Sequence, residues 1–404
     1  MWNSCSPFNC GHKLHIKVPE LALVVVTGTP ESQRLDFCAR NFKESELLDD
    51  IHNLSSRLEA GGLTVYSQSE LAATERIELL KRASENDVDC VAILLDTQKR
   101  TVSQRARQHS TLKDDGFRHA YVLTSLEQIG QTDIERLPLS CNLGEQTGPF
   151  DIIGDVHGCI DELDMLLQKL GYDICPESGY RIIHPDGRQI VFLGDLVDRG
   201  PDAPAVLRLV MAAVTSGRGF CVPGNHDAKL LRHLNGHKVS ITHGLKETLE
   251  QFEVQPTEFK LAVQDFLDPL PSHLILDGGK LVVAHAGIKE SYQGRSSGRI
   301  RAFCHYGDTN GETDSFGLPV RYNWALDYSG EAMVVYGHTP VQNASWLNKT
   351  ICIDTGCVFG GKLTALRYPS REVVSVPANK TYYDTPRPFL NSPAWGSANP
   401  RNPR

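Results

Sequence analysis

The feature that most constrains this chain is a set of five short apolar runs, each broken by a Gly-containing turn that carries metal-seeking side chains. Three lie close together: DIIGDVHG (Asp151 to Gly158), FLGDLVDRGP (Phe192 to Pro201) and PGNHD (Pro223 to Asp227). Two come later, VVAHAG with His285 and VVYGHTP with His338. Runs such as FDII, IVFL and FCV read as buried strands, and the Gly that ends each run permits a sharp turn. Loops at strand ends are where an α/β scaffold presents ligands. Asp155, His157, Asp195 and Asn225 are oxygen and nitrogen donors on separate turns. With His285 and His338 they can converge on two divalent ions, and Asp195 is the carboxylate expected to bridge both.

Two divalent ions about 3.5–4 Å apart bind a phosphate ester and acidify a bridging water, so hydroxide is available near neutral pH. The mixture of carboxylate, imidazole and amide suits Mn²⁺, with Fe²⁺ and Ni²⁺ as alternatives, better than Ca²⁺ or a thiolate-seeking ion. Asp155 and His157 are expected on one ion, and Asn225, His285 and His338 on the other. His226, next to Asn225, is placed to act as general acid, with Asp198 fixing its tautomer. Arg199 can clamp phosphate oxygens bidentately. Asp227 reads as a loop cap, and Asp354 in IDTGC as a candidate support of the site. His184, His233, His237, His243, His273 and His305 have no comparable setting and read as surface or core residues.

At 404 residues the chain has room for two or three domains. Residues 1–20 are polar and read as a flexible leader; Cys5, Cys10 and His12 lack an evident fourth zinc ligand. Residues 21–136 alternate strand-like LALVVV, LTVY, CVAILLD and AYVLT with helical stretches, the pattern of a parallel sheet with crossover helices. A strand, a Gly and a helix follow one another at Gly28, the setting of a phosphate-binding loop. Laying GxxxxGK[ST] over it puts Gln33, Arg34 and Leu35 where Gly, Lys and a hydroxyl are needed, so nucleotide hydrolysis is not expected there. Arg100 to Ser110 reads as a basic helix with a solvated or RNA-contacting face. Residues 137–149 read as a linker, 150–381 as the second domain, and 382–404 as a Pro/Asn/Ser-rich disordered tail. Within the second domain, one hairpin is expected to turn at Pro185-Asp186-Gly187 and deliver Asp195 on its second strand, and another to turn at Asp277-Gly278-Gly279.

The net charge of −8 argues against a general electrostatic nucleic-acid binder, while leaving room for a local basic channel. Eleven scattered Cys imply no disulfide framework. No stretch has transmembrane length and the N-terminus has no apolar signal core, so a cytoplasmic, membrane-free location is expected.

The trio GDVHG, GDLVDRG and GNHD, with the later HAG and GHTP, is similar to the metallophosphoesterase superfamily, in its phosphoprotein-phosphatase-like branch. The flanking text GPFDIIGDVHGC, LDGGKLVVAHAGIKE, GETDSFGLPVRYNWALDY and IDTGCVFGGKLTALRYP resembles the phosphatase domain of bacterial polynucleotide kinase–phosphatases. That family heals RNA ends with a P-loop kinase, a phosphatase and a ligase-like module. The resemblance spans about residues 150–380 and implies a calcineurin-like α/β sandwich of two sheets flanked by helices. It also implies metal roles for Asp155, His157, Asp195, Asn225, His285 and His338, and catalytic roles for His226, Asp198 and Arg199. It fails for the kinase, because of Arg34 and Leu35, and the ligase-like module has no counterpart. The implied whole is a degenerate P-loop kinase-like domain followed by a two-metal phosphatase. Its expected substrates are 3′-phosphate or 2′,3′-cyclic phosphate RNA ends or small phosphomonoesters, and an RNA ligase is a candidate partner. The alternatives are a symmetrical dinucleoside tetraphosphatase, a serine/threonine protein phosphatase, and a scaffold subunit of an RNA-repair assembly.

Overall fold

A computed structural model describes residues 14–98, 101–117, 119–175, 180–313, 319–385 and 389–390. The chain forms two units, Met1–Leu139 with Arg295–Ser297, and Ser140–Gly294 with Gly298–Arg404.

The first unit contains a parallel sheet whose spatial order is Thr64–Gln68, Ala22–Thr29, Asp89–Asp96, His119–Leu123. The strand Ala22–Thr29 is apolar on both faces. Val24 and Val26 pack with Phe37, Ile93 and Leu123, while Leu23 and Val25 pack with Leu58, Leu79 and Leu112. A strand covered on both sides reads as an unbroken apolar run, and LALVVV is such a run. Because this first strand sits between the second and third, the strand order reverses beside it, making a topological switch point.

The leader differs from expectation. His15–Pro19 is a strand, paired in parallel with Asp133–Leu137. Ile16 and Val18 are buried and Lys17 is exposed, a period of two too short to stand out without its distant partner. Cys5, Cys10 and His12 lie outside the described residues.

The second unit is built on two sheets. The first runs Gly219–Cys221, Gln189–Phe192, Phe150–Ile153, Lys362–Tyr368, Val373–Pro377. The second runs Trp346–Leu347, Thr350–Cys352, Met333–Tyr336, Leu281–Ala284, His273–Leu276, Asn142–Leu143. Ile152, Val191, Val283 and Val335 alternate along their strands into one core shared by both sheets. The opposite side chains of the first sheet, Ile153, Ile190 and Phe192, pack with Leu163 and Leu166 of helix Ile160–Leu170 and with Val206 of helix Ala203–Thr215. Those of the second sheet, Val282, Ala284 and Val334, pack with Ile300 and Phe303 of helix Gly298–Tyr306 and with Trp324. The result is the two-sheet sandwich with helical flanks. Each fully buried Val or Phe contributes roughly 1.5–3 kcal/mol.

The hairpin at Asp277-Gly278-Gly279 forms, joining antiparallel His273–Leu276 and Leu281–Ala284. The one at Pro185-Asp186-Gly187 does not. The turn exists, with Gly187 N donating to His184 O at 3.0 Å, but Arg181–Ile183 pairs back onto Asp173–Cys175. Gln189–Phe192 instead enters the sheet in parallel between Phe150–Ile153 and Gly219–Cys221, where both its faces are covered. Part of the stretch 137–149 is also ordered, since Asn142–Leu143 forms an edge strand beside His273–Leu276. Of the tail, Leu390 N donates to Pro340 O at 3.1 Å, and residues 391–404 lie outside the described ones.

Candidate metal centre

Five strands deliver the donors, and all end at one edge of the sandwich core. Phe150–Ile153 leads to Asp155 and His157, Gln189–Phe192 to Asp195, and Gly219–Cys221 to Asn225 and His226. From the other sheet, Leu281–Ala284 leads to His285 and Met333–Tyr336 to His338.

Asp195 stands in the middle. Its Oδ2 lies 3.5 Å from His157 Nε2, and its Oδ1 lies 3.4 Å from His285 Nε2. His157, Asp195 and His226 offer donor atoms all within 4.8 Å of one another, and so do Asp195, His285 and His338. A carboxylate shared by two donor groups, one per oxygen, is what bridging requires. Asn225 Oδ1 and His338 Nδ1 lie 3.2 and 3.0 Å from His285 Nε2. Asp155 Oδ2 accepts from His338 N at 3.0 Å, while Asp155 Oδ1 and His338 Nε2 are buried with no hydrogen-bond partner. All six residues expected as ligands therefore come together.

The local backbone is shaped for this purpose. His157, Asp195 and His338 have φ of 46°, 45° and 69°, and Asp198 and Arg199 have 73° and 71°. Non-Gly residues in this left-handed region cost of order 1–3 kcal/mol each and persist where the surroundings enforce them. Gly224 and Gly337 are needed for a different reason. A Cβ at either would collide with a carboxylate oxygen, of Asp195 and Asp155 respectively.

The electrostatics call for positive charge. Burial pushes Asp195 up to about 6, against the pull of Arg199, and burial with the neighbouring Asp354 charge holds Asp155 well above the usual carboxylate range. Burial drives His285 down to about 3, and burial together with Arg199 holds His157 well below its ordinary value. Carboxylates that resist ionisation beside neutral imidazoles, with two orphaned polar atoms, fit a pair of divalent cations, whose charge reverses that pKa logic.

His226 Nδ1 lies 2.6 Å from Asp198 Oδ2. Thr248 Oγ1 donates to Asp198 Oδ1 at 2.8 Å and accepts from Asp198 N at 2.9 Å, so this carboxylate is held from both ends. Arg199 donates to His157 Nε2 at 2.7 Å and to His226 Nε2 at 2.9 Å, and its guanidinium lies over Phe359 and Tyr383, 5.1 and 6.0 Å from their centroids. An imidazole nitrogen has a single lone pair. His157 Nε2 can face the guanidinium or a cation, not both, so cation binding at this atom requires Arg199 to turn outward.

Asp227 caps the loop, its carboxylate accepting from Gly224 N and Leu196 N at 2.8 and 2.9 Å. Asp354 is buried beside the site and accepts from Gly356 N at 3.0 Å. Among features the motifs did not reveal, Arg321 donates to Thr339 Oγ1 at 3.1 Å, next to His338. His305 is buried, its Nε2 without a hydrogen-bond partner, and burial lowers it to about 3. The stacking of Arg199 on Phe359, within IDTGCVFGG, and on Tyr383 was not visible from either stretch.

The family profile for calcineurin-like phosphoesterases matches residues 148–342. A protein of Anoxybacillus flavithermus named bis(5′-nucleosyl)-tetraphosphatase PrpE (asymmetrical) is 47% identical over 245 residues, covering 59% of this chain and 99% of that one. Proteins of the same name from a Geobacillus species and from Bacillus subtilis are each 46% identical over 237 residues, covering 58% of this chain and 96% of each relative.

Proposed function

Because this chain belongs to the calcineurin-like phosphoesterase family, we propose that it is a two-cation hydrolase that cuts dinucleoside tetraphosphates asymmetrically. The observation that supports the substrate class is the near-complete correspondence of one part of the chain with relatives named for that activity. Those names speak for a phosphoanhydride rather than an RNA 3′-phosphate or other monoester. They also favour asymmetrical over symmetrical cleavage. The RNA end-healing reading finds no support in those names.

In this reading Asp155 and His157 would hold one cation, Asn225, His285 and His338 the other, and Asp195 would serve both, with Mn²⁺ the first ion to try. Such a pair supplies Lewis acidity toward phosphate oxygens and lowers the pKa of water. The chain does the rest. Asp195 keeps its two oxygens aimed at opposite donor groups. Arg199, once turned from His157, is positioned to bind non-bridging phosphate oxygens in its planar fork. Asp198 orients His226 through Nδ1, and once Arg199 has turned from its Nε2 as well, that nitrogen can carry a proton to the leaving oxygen. For an anhydride that leaving oxygen belongs to a phosphate with a second pKa near ~6, so the proton matters less than for an alkoxide.

The test is incubation of the purified chain with Mn²⁺ and diadenosine tetraphosphate, with Asp195→Ala as control. ATP plus AMP, lost in the variant, is the expected product pair. ADP alone would move the cleavage to the symmetrical type, and no cleavage beside turnover of an RNA 3′-phosphate would sink the substrate assignment.

A further inference from the structure

A cavity of about 480 Å³ opens beside Arg199, between the turn Arg199–Pro201, the helix Leu245–Glu253 and Tyr382. Its walls are fixed to the candidate centre. Gln251 Nε2 donates to Gly200 O at 2.9 Å and its Oε1 accepts from Ala203 N at 2.8 Å. Thr248, on the same helix, grips Asp198. The hydroxyl of Tyr382 donates to Glu162 Oε1 at 2.9 Å, and the same oxygen accepts from Asn379 N at 2.8 Å. Glu162 is completely buried, so the segment that carries Tyr382 is anchored in the core. A preformed aromatic wall lies next to a guanidinium that also contacts two catalytic-site imidazoles.

The cavity wall carries charge of both signs. Arg199 lines it from the turn, and the half-buried Glu247 and exposed Glu250 line it from the helix Leu245–Glu253. Glu250 is partly offset by Lys246, 3.5 Å away. A polyphosphate chain is attracted to the guanidinium and repelled by the two carboxylates. A neutral, flat group attached to that chain meets no such penalty, and its exocyclic amine can donate to a carboxylate. Lys380 Nζ lies 5.2 Å from the Tyr382 centroid, so a base stacks on this ring either on the opposite face or by displacing that ammonium.

We propose that this cavity is the nucleoside subsite of the enzyme. Arg199 takes the phosphate chain as it leaves the centre, Tyr382 stacks the base, and Glu247 and Glu250 turn away phosphate and accept from the base. This assignment rests on the dinucleotide reading given above.

The test compares Tyr382→Leu and Tyr382→Phe on diadenosine tetraphosphate and on p-nitrophenyl phosphate. Stacking of a base on an aromatic ring corresponds to roughly 5–150-fold in affinity. Tyr382→Leu is expected to raise KM for the dinucleotide about tenfold more than for the small ester, with Tyr382→Phe restoring it. Equal changes on both substrates would mean that Tyr382 only braces Glu162, and no change on either would mean that the base lies elsewhere. Either result overturns the subsite. If the wild type cleaves the small ester but not the dinucleotide, the proposed substrate fails by itself. Adenosine as a competitor of small-ester hydrolysis then reads the subsite alone. Competition weakened in Tyr382→Leu upholds it, and no competition in the wild type overturns it.

Discussion

Arg34 in the first unit and Asp155 in the second are both buried charged residues beside a Gly turn that ends a parallel strand. Arg34 is tied down, donating to Gly28 O at 3.1 Å, Ser69 Oγ at 3.0 Å and Ser67 Oγ at 2.9 Å. Gly28 N itself donates to Ser69 O at 3.0 Å. Asp155 keeps Oδ1 without a hydrogen-bond partner, as His338 keeps Nε2. A buried polar group left without a partner costs about 1–3 kcal/mol, more when charged. Arg34 escapes that cost through its bonds to Gly28, Ser67 and Ser69, although Gln33 Oε1 beside it is itself buried without a hydrogen-bond partner. Asp155 retains it where cations would relieve it. The difference separates a structural strand end from a reactive one, even though both arise from the same βα grammar.

The largest expected effect breaks the second strand end at its shared ligand. Asp195→Ala should lower kcat/KM by roughly 10³-fold or more on every phosphate substrate, since Lewis-acid stabilisation is worth several kcal/mol. Steady-state assays over a range of Mn²⁺ concentrations check it, and restoration by excess Mn²⁺ would speak against bridging. Next in size, His226→Asn should cost about 10²–10⁴ in kcat on an alkyl phosphomonoester and clearly less on diadenosine tetraphosphate. Equal losses on the two would remove the proton-donor role. Thr248→Val strips Asp198 of both hydrogen bonds with that hydroxyl and should lower kcat about tenfold with little change in KM, as outer-shell substitutions do.

The smallest effect on activity belongs to the other side of the comparison. Arg34→Met should destabilise the first unit by about 2–4 kcal/mol, because several buried partners lose a charged donor. Denaturant unfolding measures that change. Phosphate release per folded molecule should stay at the wild-type level, and a parallel loss of activity would show that the first strand end is not merely structural.

The reactive strand ends were legible because their information is local. An apolar run, a Gly and a donor fall within a few residues of one another, and the sheet then brings the distant copies together. Two-sided burial made Phe150–Ile153 and Gln189–Phe192 read as strands. What was not legible depends on partners far along the chain. Ile16 and Val18 become a strand only against Asp133–Leu137, and Gln189–Phe192 takes parallel neighbours although a turn precedes it. Arg34 has no motif that announces its bonds to Ser67 and Ser69. The stacking of Arg199 on Phe359 and Tyr383 follows no periodicity, and Tyr383 falls in a stretch whose composition reads as tail.

The most direct test of the account is a titration of metal-free protein with Mn²⁺, followed by electron paramagnetic resonance. Two ions per chain with a spin-coupled spectrum are predicted, and Asp195→Ala should abolish the coupling. A single ion per chain, or two uncoupled ions indifferent to Asp195, would contradict a centre built around that carboxylate.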